Sequence, residues 1–273
     1  MSKIGFIGTG NMGGALALAV GKTAHKVFLS NHSPEKASIL AKRIGRGAKV
    51  VSSEDIVADC DVVFLGVKPQ MLESLAAELQ PAVDKRKSHV VFVSMAAGVG
   101  VETVERLFRQ SDGDPDAAAV IRIMPNTPVA VGAGTIPYCV GSKVTDEDRR
   151  LFLEVMAQAG TLDELPERLI DAASSVAGCG PAFVAMFIEA LADGGVRCGL
   201  PRAKALLYAA ETVRGTAVLL EQSGQHPGAL KDAVCSPGGT TIEGVAALES
   251  AGFRAAAMEA VTAAYRRTLE LKK

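Results

Sequence analysis

The sequence predicts an α/β fold: a doubly wound, mostly parallel sheet over residues 1–164, followed by an all-α domain over residues 165–273. Three observations carry that prediction. Short β-rich runs alternate with helical patterns through the first half, the signature of βαβ units. Two of the runs, Val62–Leu65 and Val90–Val93, are apolar throughout, as central strands covered on both faces must be. Past residue 165 strand signals stop, and Ala- and Leu-rich helical patterns take over.

In chain order, strands are expected at Lys3–Gly8, Lys26–Asn31, Ala48–Ser52, Asp61–Val67, Val90–Ser94, Ala118–Met124 and Thr135–Val140. Helices fall between them at Asn11–Gly21, Pro34–Gly45, Gln70–Leu79 and Val101–Gln110. Asp146–Ala159 reads as one more helix, and Thr161–Leu165 as a last short strand or connection. Farther on, Leu206, Ala210, Val213, Ala217 and Leu220 recur at spacings of three and four, a helical apolar stripe. Small residues such as Ala255–Ala257 and Ala263–Ala264 permit close helix approach. With few polar faces to solvate, these helices point to a homodimer interface.

Composition narrows the function. With 29 Lys+Arg against 30 Asp+Glu the chain has no basic surplus to neutralise phosphates, so no nucleic-acid partner is expected. At 48% hydrophobic residues it can bury a full core. Five Cys, at 60, 139, 179, 198 and 235, form no CxxC pair and read as reduced thiols of a cytoplasmic protein. The four His show no metal-ligand spacing. Met1-Ser2-Lys3 leave no room for a leader before the first apolar run. The long charge-free stretches Ile123–Ser142 and Ala172–Ile188 are broken by Pro and Gly, so no membrane-spanning helix is expected.

Gly8-Thr9-Gly10-Asn11-Met12-Gly13 fits GxGxxG between the first strand and the first helix, the Rossmann context that gives this string meaning. One Gly permits the turn, the next admits a pyrophosphate, and the third lets helix and strand pack closely. An NAD-binding unit usually carries a carboxylate about 20 residues on, bonded to the ribose 2′-hydroxyl. Here the second strand ends Ser30-Asn31-His32-Ser33, without one. Hydroxyls, an amide and an imidazole can donate to a 2′-phosphate instead, so NADP(H) is favoured and NAD(H) stays open.

Several further segments follow in a set order: Val67-Lys68-Pro69, Ala96-Ala97-Gly98-Val99, Met124-Pro125-Asn126-Thr127-Pro128, Gly178–Phe183, Ala190–Pro201, Gly224–Asp232 and Ser236-Pro237-Gly238-Gly239-Thr240-Thr241. With the glycine loop they make the whole chain resemble the pyrroline-5-carboxylate reductase family, the last segment being the most specific. The resemblance implies NAD(P)H-dependent reduction of a cyclic imine carboxylate to L-proline, on a Rossmann domain followed by a helical dimerisation domain. It also implies cofactor contacts at Gly8, Gly10, Asn11, Met12 and Gly13, at His32 and Ser33 for the 2′-phosphate, and at Ser53 for adenosine. Val67, Lys68, Pro69 and Ala97 would line the cofactor's path, Lys68 through its backbone because Pro69 opens a helix. Ser236, Thr240 and Thr241, with Glu167, would meet the small-molecule substrate, and Thr241 is the candidate catalytic donor to the imine nitrogen.

The chain departs from the family pattern in places. The family's SGSGPAY reads Ala177-Gly178-Cys179-Gly180-Pro181-Ala182-Phe183, a Thr-Gly just before it reads Ser174-Ser175, and an Asn before the last segment is Ala233. No catalytic role is assigned to Cys179 or Phe183. Pro237–Gly239 reads as a turn and Thr240-x-x-Glu243 as a capping box opening a helix. A β-hydroxyacid or 6-phosphogluconate-type dehydrogenase would need a Lys early in the helical domain, and Val176–Ala192 has none. His32→Asp places a carboxylate where a 2′-phosphate would sit, so it is expected to shift kcat/KM toward NADH. An unchanged ratio would show that this strand end does not read the phosphate.

Overall fold

The computed structural model describes residues 1–45, 47–111 and 118–271. They form two compact units: Met1–Cys179 with the C-terminal segment from Ala264, and Gly180–Ala263. The first carries β1 (Lys3–Ile7), β2 (Lys26–Ser30), β3 (Ala48–Val50), β4 (Val62–Leu65), β5 (Val91–Ser94), β6 (Ala119–Ile123), β7 (Gly134–Val140) and β8 (Gly160–Glu164). These strands form one sheet in the order β3-β2-β1-β4-β5-β6-β7-β8. From β3 to β6 all pairings are parallel, in the doubly wound order. β7 runs antiparallel to β6, and β8 parallel to β7.

Both faces of the sheet are covered. Helices α1 (Asn11–Val20), α2 (Pro34–Ile44) and α6 (Asp146–Met156) bury Leu16, Leu40 and Phe152 against one face. On the other, α3 (Ser53–Asp59), α4 (Leu72–Lys85), α5 (Val101–Leu107) and α7 (Glu167–Ala177) contribute Ile56, Leu79, Val104 and Ile170. The two-residue period of the strands sends Phe6 and Phe64 to the first face, where their rings stack at 4.5 Å, and Ile7 and Leu65 to the second. Burial of each such side chain contributes about 1.5–3 kcal/mol. Helix α4 runs through Pro81 to Lys85, past the expected end at Leu79. Leu79 and Val83 are both buried on the sheet, and that packing outweighs the hydrogen bond lost at the proline.

One buried residue in the sheet is charged. Arg122 on β6 is 1% exposed; its Nη2 donates to Asp171 Oδ1 at 2.6 Å and its Nη1 to Glu167 Oε1 at 3.4 Å. Glu167 Oε1 also accepts from Val101 N at 2.7 Å, at the start of α5. The Arg122 guanidinium thus ties α7 to the sheet and to α5. The far end of α7 is held as well: buried Asn126 donates from Nδ2 to Ala177 O at 3.0 Å while its Oδ1 accepts from Thr135 N at 2.9 Å.

The second unit is helical: α8 (Gly180–Arg197), α9 (Arg202–Ser223), α10 (Pro227–Ala233), α11 (Thr240–Ser250) and the start of α12 (Phe253–Glu270). Its own core is small, with Ala192, Ala205 and Ala209 buried beside Ile188 and Val196. The predicted stripe on α9 is not the face that the chain buries. Ala205 and Ala209 face α8, whereas Leu206 is 42% exposed. Small side chains permit the closest approach between the two helices, which leaves the larger ones outside. A turn at Gly178-Cys179 separates α7 from α8, as the glycines suggested. Gly180 and Pro181 nevertheless open α8 rather than break it, since the first turn needs no N–H from proline. Counted straight through that turn, Glu167–Arg197 meets the length and apolarity of a membrane span, a test that core helices also pass.

Removing one partner of a buried ion pair strands the other charge. Asp171→Ala is therefore expected to cost about 3–5 kcal/mol, read as a lower urea midpoint. A midpoint like that of the unaltered chain would show that Arg122 is held by other groups.

Candidate functional site

Three backbones converge at the C-terminal edge of the parallel strands. Gly8 closes β1 with φ +92°, a conformation that L side chains rarely adopt, and its N–H donates to Ser30 O at 2.9 Å. A Cβ on Gly13 would lie 2.2 Å from Gly8 O, and so would a Cβ on Gly66, just past β4. Neither position admits a side chain. Gly66 is the residue that sequence reasoning missed: a lone Gly after an apolar run is too common to single out. Gly10 is the opposite case, for a Cβ there would meet nothing within 4 Å. The bare backbone at Gly10 faces open space, as a cradle for a pyrophosphate requires.

Helix α1 starts beside that space with Gly10 as N-cap, no side-chain cap and no acidic residue in its first turn. Its leading N–H groups, at Asn11, Met12 and Gly13, are left for an anion. The same edge carries Val67, Lys68 and Pro69 after β4, and Ala96, Ala97 and Gly98 (φ +77°) after β5. Pro69 opens a short 3-10 turn and Lys68 is its exposed N-cap residue, with no side-chain cap bond. All the predicted contact segments of the sheet unit therefore meet along one edge, across the point where strand order reverses between β1 and β4.

At the end of β2 the polar groups are partly committed. The Asn31 side chain accepts from Thr9 N at 3.0 Å and donates to Ser33 O at 3.2 Å, so the amide braces the glycine loop. Ser53 and Ser30 hydroxyls are bonded to each other at 2.8 Å. His32 is exposed, and Ser33, the N-cap residue of α2, makes no side-chain cap bond. Between α1 and α2 lies a cleft of about 440 Å³ walled by Thr9, Gly10, Asn11 and Gly14 on one side and Lys36 and Arg43 on the other. The two cations were missed by sequence reasoning. Their spacing of seven, two helical turns, was the available signal.

Ser236–Gly239 forms the expected turn: Gly239 N donates to Ser236 O at 3.0 Å, and Gly238 has φ +66°. The capping box is not formed. Gly239 is the N-cap of α11 and Thr240 its first helical residue, because the turn already delivers Gly239 in an extended conformation. Thr240 and Thr241 are exposed, with neither hydroxyl spent on capping. Glu167, by contrast, is bonded to Val101 N and Arg122. The five cysteines are unpaired, and burial pushes the Cys60 and Cys139 thiols up to about 12 and about 11, so both pack as neutral groups.

Comparison with known proteins agrees with this layout. Residues 167–271 match a family model described as pyrroline-5-carboxylate reductase dimerisation. Residues 3–98 match one described as NADP oxidoreductase, coenzyme F420-dependent. The chain is 40% identical to the pyrroline-5-carboxylate reductase of Escherichia coli over 99% of its length and 98% of that protein's. It is 38% identical to the Arabidopsis thaliana enzyme of the same name, over 99% and 96%. Among solved structures, Plasmodium falciparum pyrroline carboxylate reductase with NADP bound superposes with a TM-score of 0.85 at 29% identity, covering 100% of this chain and 98% of that one. With its glycine cradle, its turn before α11 and full-length relatives at this identity, the chain belongs to the pyrroline-5-carboxylate reductase family.

Proposed function

We propose that the protein reduces 1-pyrroline-5-carboxylate to L-proline with NADPH, accepting NADH less well. The observation that carries this reading is the likeness at 40% identity over 98% of the Escherichia coli enzyme. The glycine cradle fits a dinucleotide, since the space beside Gly10 is open and the α1 N–H groups facing it are unspent. The dinucleotide supplies the hydride. Gly8–Gly13 would hold its pyrophosphate, and Val67–Pro69 and Ala97 would border its path.

In the helical unit, the Ser236–Gly239 turn leaves the first N–H groups of α11 without capping partners, a setting suited to a carboxylate. Thr241 donates a hydrogen bond from its hydroxyl to the ring nitrogen as electron density builds there, the proton itself coming from solvent, and Thr240 and Ser236 bind beside it. In the sheet unit, the orientation of the Glu167 carboxylate is fixed by Arg122 and Val101. Little acid–base machinery is needed, and orientation of the imine against the cofactor can supply roughly 7–11 kcal/mol. The exposed apolar faces of α8 and α9, including Met186 and Leu206, support a homodimer through the segment from residue 165 onward. The five free thiols suit a cytoplasmic setting.

NADPH oxidation with pyrroline-5-carboxylate tests the reading, and absence of turnover with both cofactors would overturn it. Thr241→Val is expected to lower kcat about three- to tenfold, because an uncharged hydrogen bond is worth ~0.5–1.5 kcal/mol. NADPH affinity and melting temperature should stay unchanged, and an unaltered kcat would place the donor elsewhere. Light scattering on the full chain should give a dimer or larger assembly; a monomer at micromolar concentration would exclude the interface.

A further inference from the structure

We propose that Lys36 reads the 2′-phosphate of NADPH, with Arg43 adding positive potential along the same face of α2. This rests on the cofactor reading above and adds the residue that distinguishes the two dinucleotides. Lys36 and Arg43 stand two turns apart and wall the same cleft as Gly10 and Asn11, where the pyrophosphate cradle begins. No carboxylate lines that cleft. Among the described residues neither cation forms an ion pair within 4.0 Å, whereas most other arginines of the chain are paired or bonded to backbone.

The competing donors are less suited. Asn31 accepts from Thr9 N and gives one of its amide hydrogens to Ser33 O, and the Ser30 and Ser53 hydroxyls are bonded to each other. His32 and Ser33 remain, but neither brings a permanent positive charge. A dianionic phosphate is held best by charge-assisted hydrogen bonds, and Lys36 sits in the first turn of α2, where the helix N-terminus favours the same charge. The wall of the cleft has one more unspent polar group: Thr9 is 8% exposed, and its buried Oγ1 has no hydrogen-bond partner. NADH lacks the phosphate, so for it Lys36 has nothing to bind.

The test is the dissociation constant of each cofactor, read from nicotinamide fluorescence without substrate. Lys36→Met should raise Kd for NADPH about tenfold or more while Kd for NADH changes less than about twofold. Lys36→Arg should keep the NADPH preference, and added salt should weaken NADPH binding to the unaltered chain more than to Lys36→Met. Equal losses for both cofactors would overturn the proposal by assigning Lys36 to the shared pyrophosphate or to the fold. An unchanged ratio in Lys36→Met would overturn it outright. Because no substrate is present, a chain that binds NADPH in this way but fails to reduce pyrroline-5-carboxylate would refute the proposed reaction and leave Lys36 in place.

Discussion

The carbonyl oxygen of Gly8 occupies the place where side chains at two other positions would have to begin. A Cβ on either Gly13 or Gly66 would fall 2.2 Å from it, well inside any tolerable contact. The end of β1, the first turn of α1 and the exit of β4 can share that point only as bare backbone. Because β1 and β4 are also adjacent and parallel, with Ile7 opposite Leu65, the crossing sets how α1 approaches the sheet. It also sets where the α1 N–H groups emerge. The open space at Gly10 exists because its neighbours are packed this tightly.

Side-chain polar groups hold the rest of that edge. Asn31 ties the loop to the end of β2, Asn126 ties β7 to the last carbonyl of α7, and Arg122 joins α7 and α5 through Glu167. Each is a side chain bonded in two directions, so each fixes a relation between two segments rather than a single position. Burying Arg122 carries a desolvation cost that a hydrophobic residue would avoid. What the ion pairs give in return is directional: helix α7 can dock on the sheet in one rotation, whereas an apolar contact would tolerate several.

Strand positions and the parallel half of the sheet were legible because their signals are local. Val62–Leu65 is apolar at every position and is buried at every position. The glycine loop was legible because its spacing has a mechanism. Gly66 was not, since nothing in its own neighbourhood reveals that Gly8 lies against it. Lys36 and Arg43 look like any exposed cations of an amphipathic helix until α1 is placed beside them. The stripe Leu206, Ala210, Val213 was visible as a period, but periodicity cannot tell which of two apolar faces the same chain covers. The Thr240 cap failed by one residue, because Gly239 ends a turn already extended enough to serve as the cap.

The strand order also has a temporal meaning. Reading the sheet β3-β2-β1-β4-β5-β6-β7-β8 by sequence number, every strand after the first lies beside one that the ribosome has already released. β2 finds β1, β3 finds β2, β4 returns to β1, and each later strand adds to the edge just made. After β1, no strand has to wait, unpaired, for a neighbour encoded farther downstream. The exposed apolar helices between Gly180 and Ala263 are translated only after the sheet is complete. The nascent chain therefore exposes its most association-prone surface only after every strand of the sheet has been made.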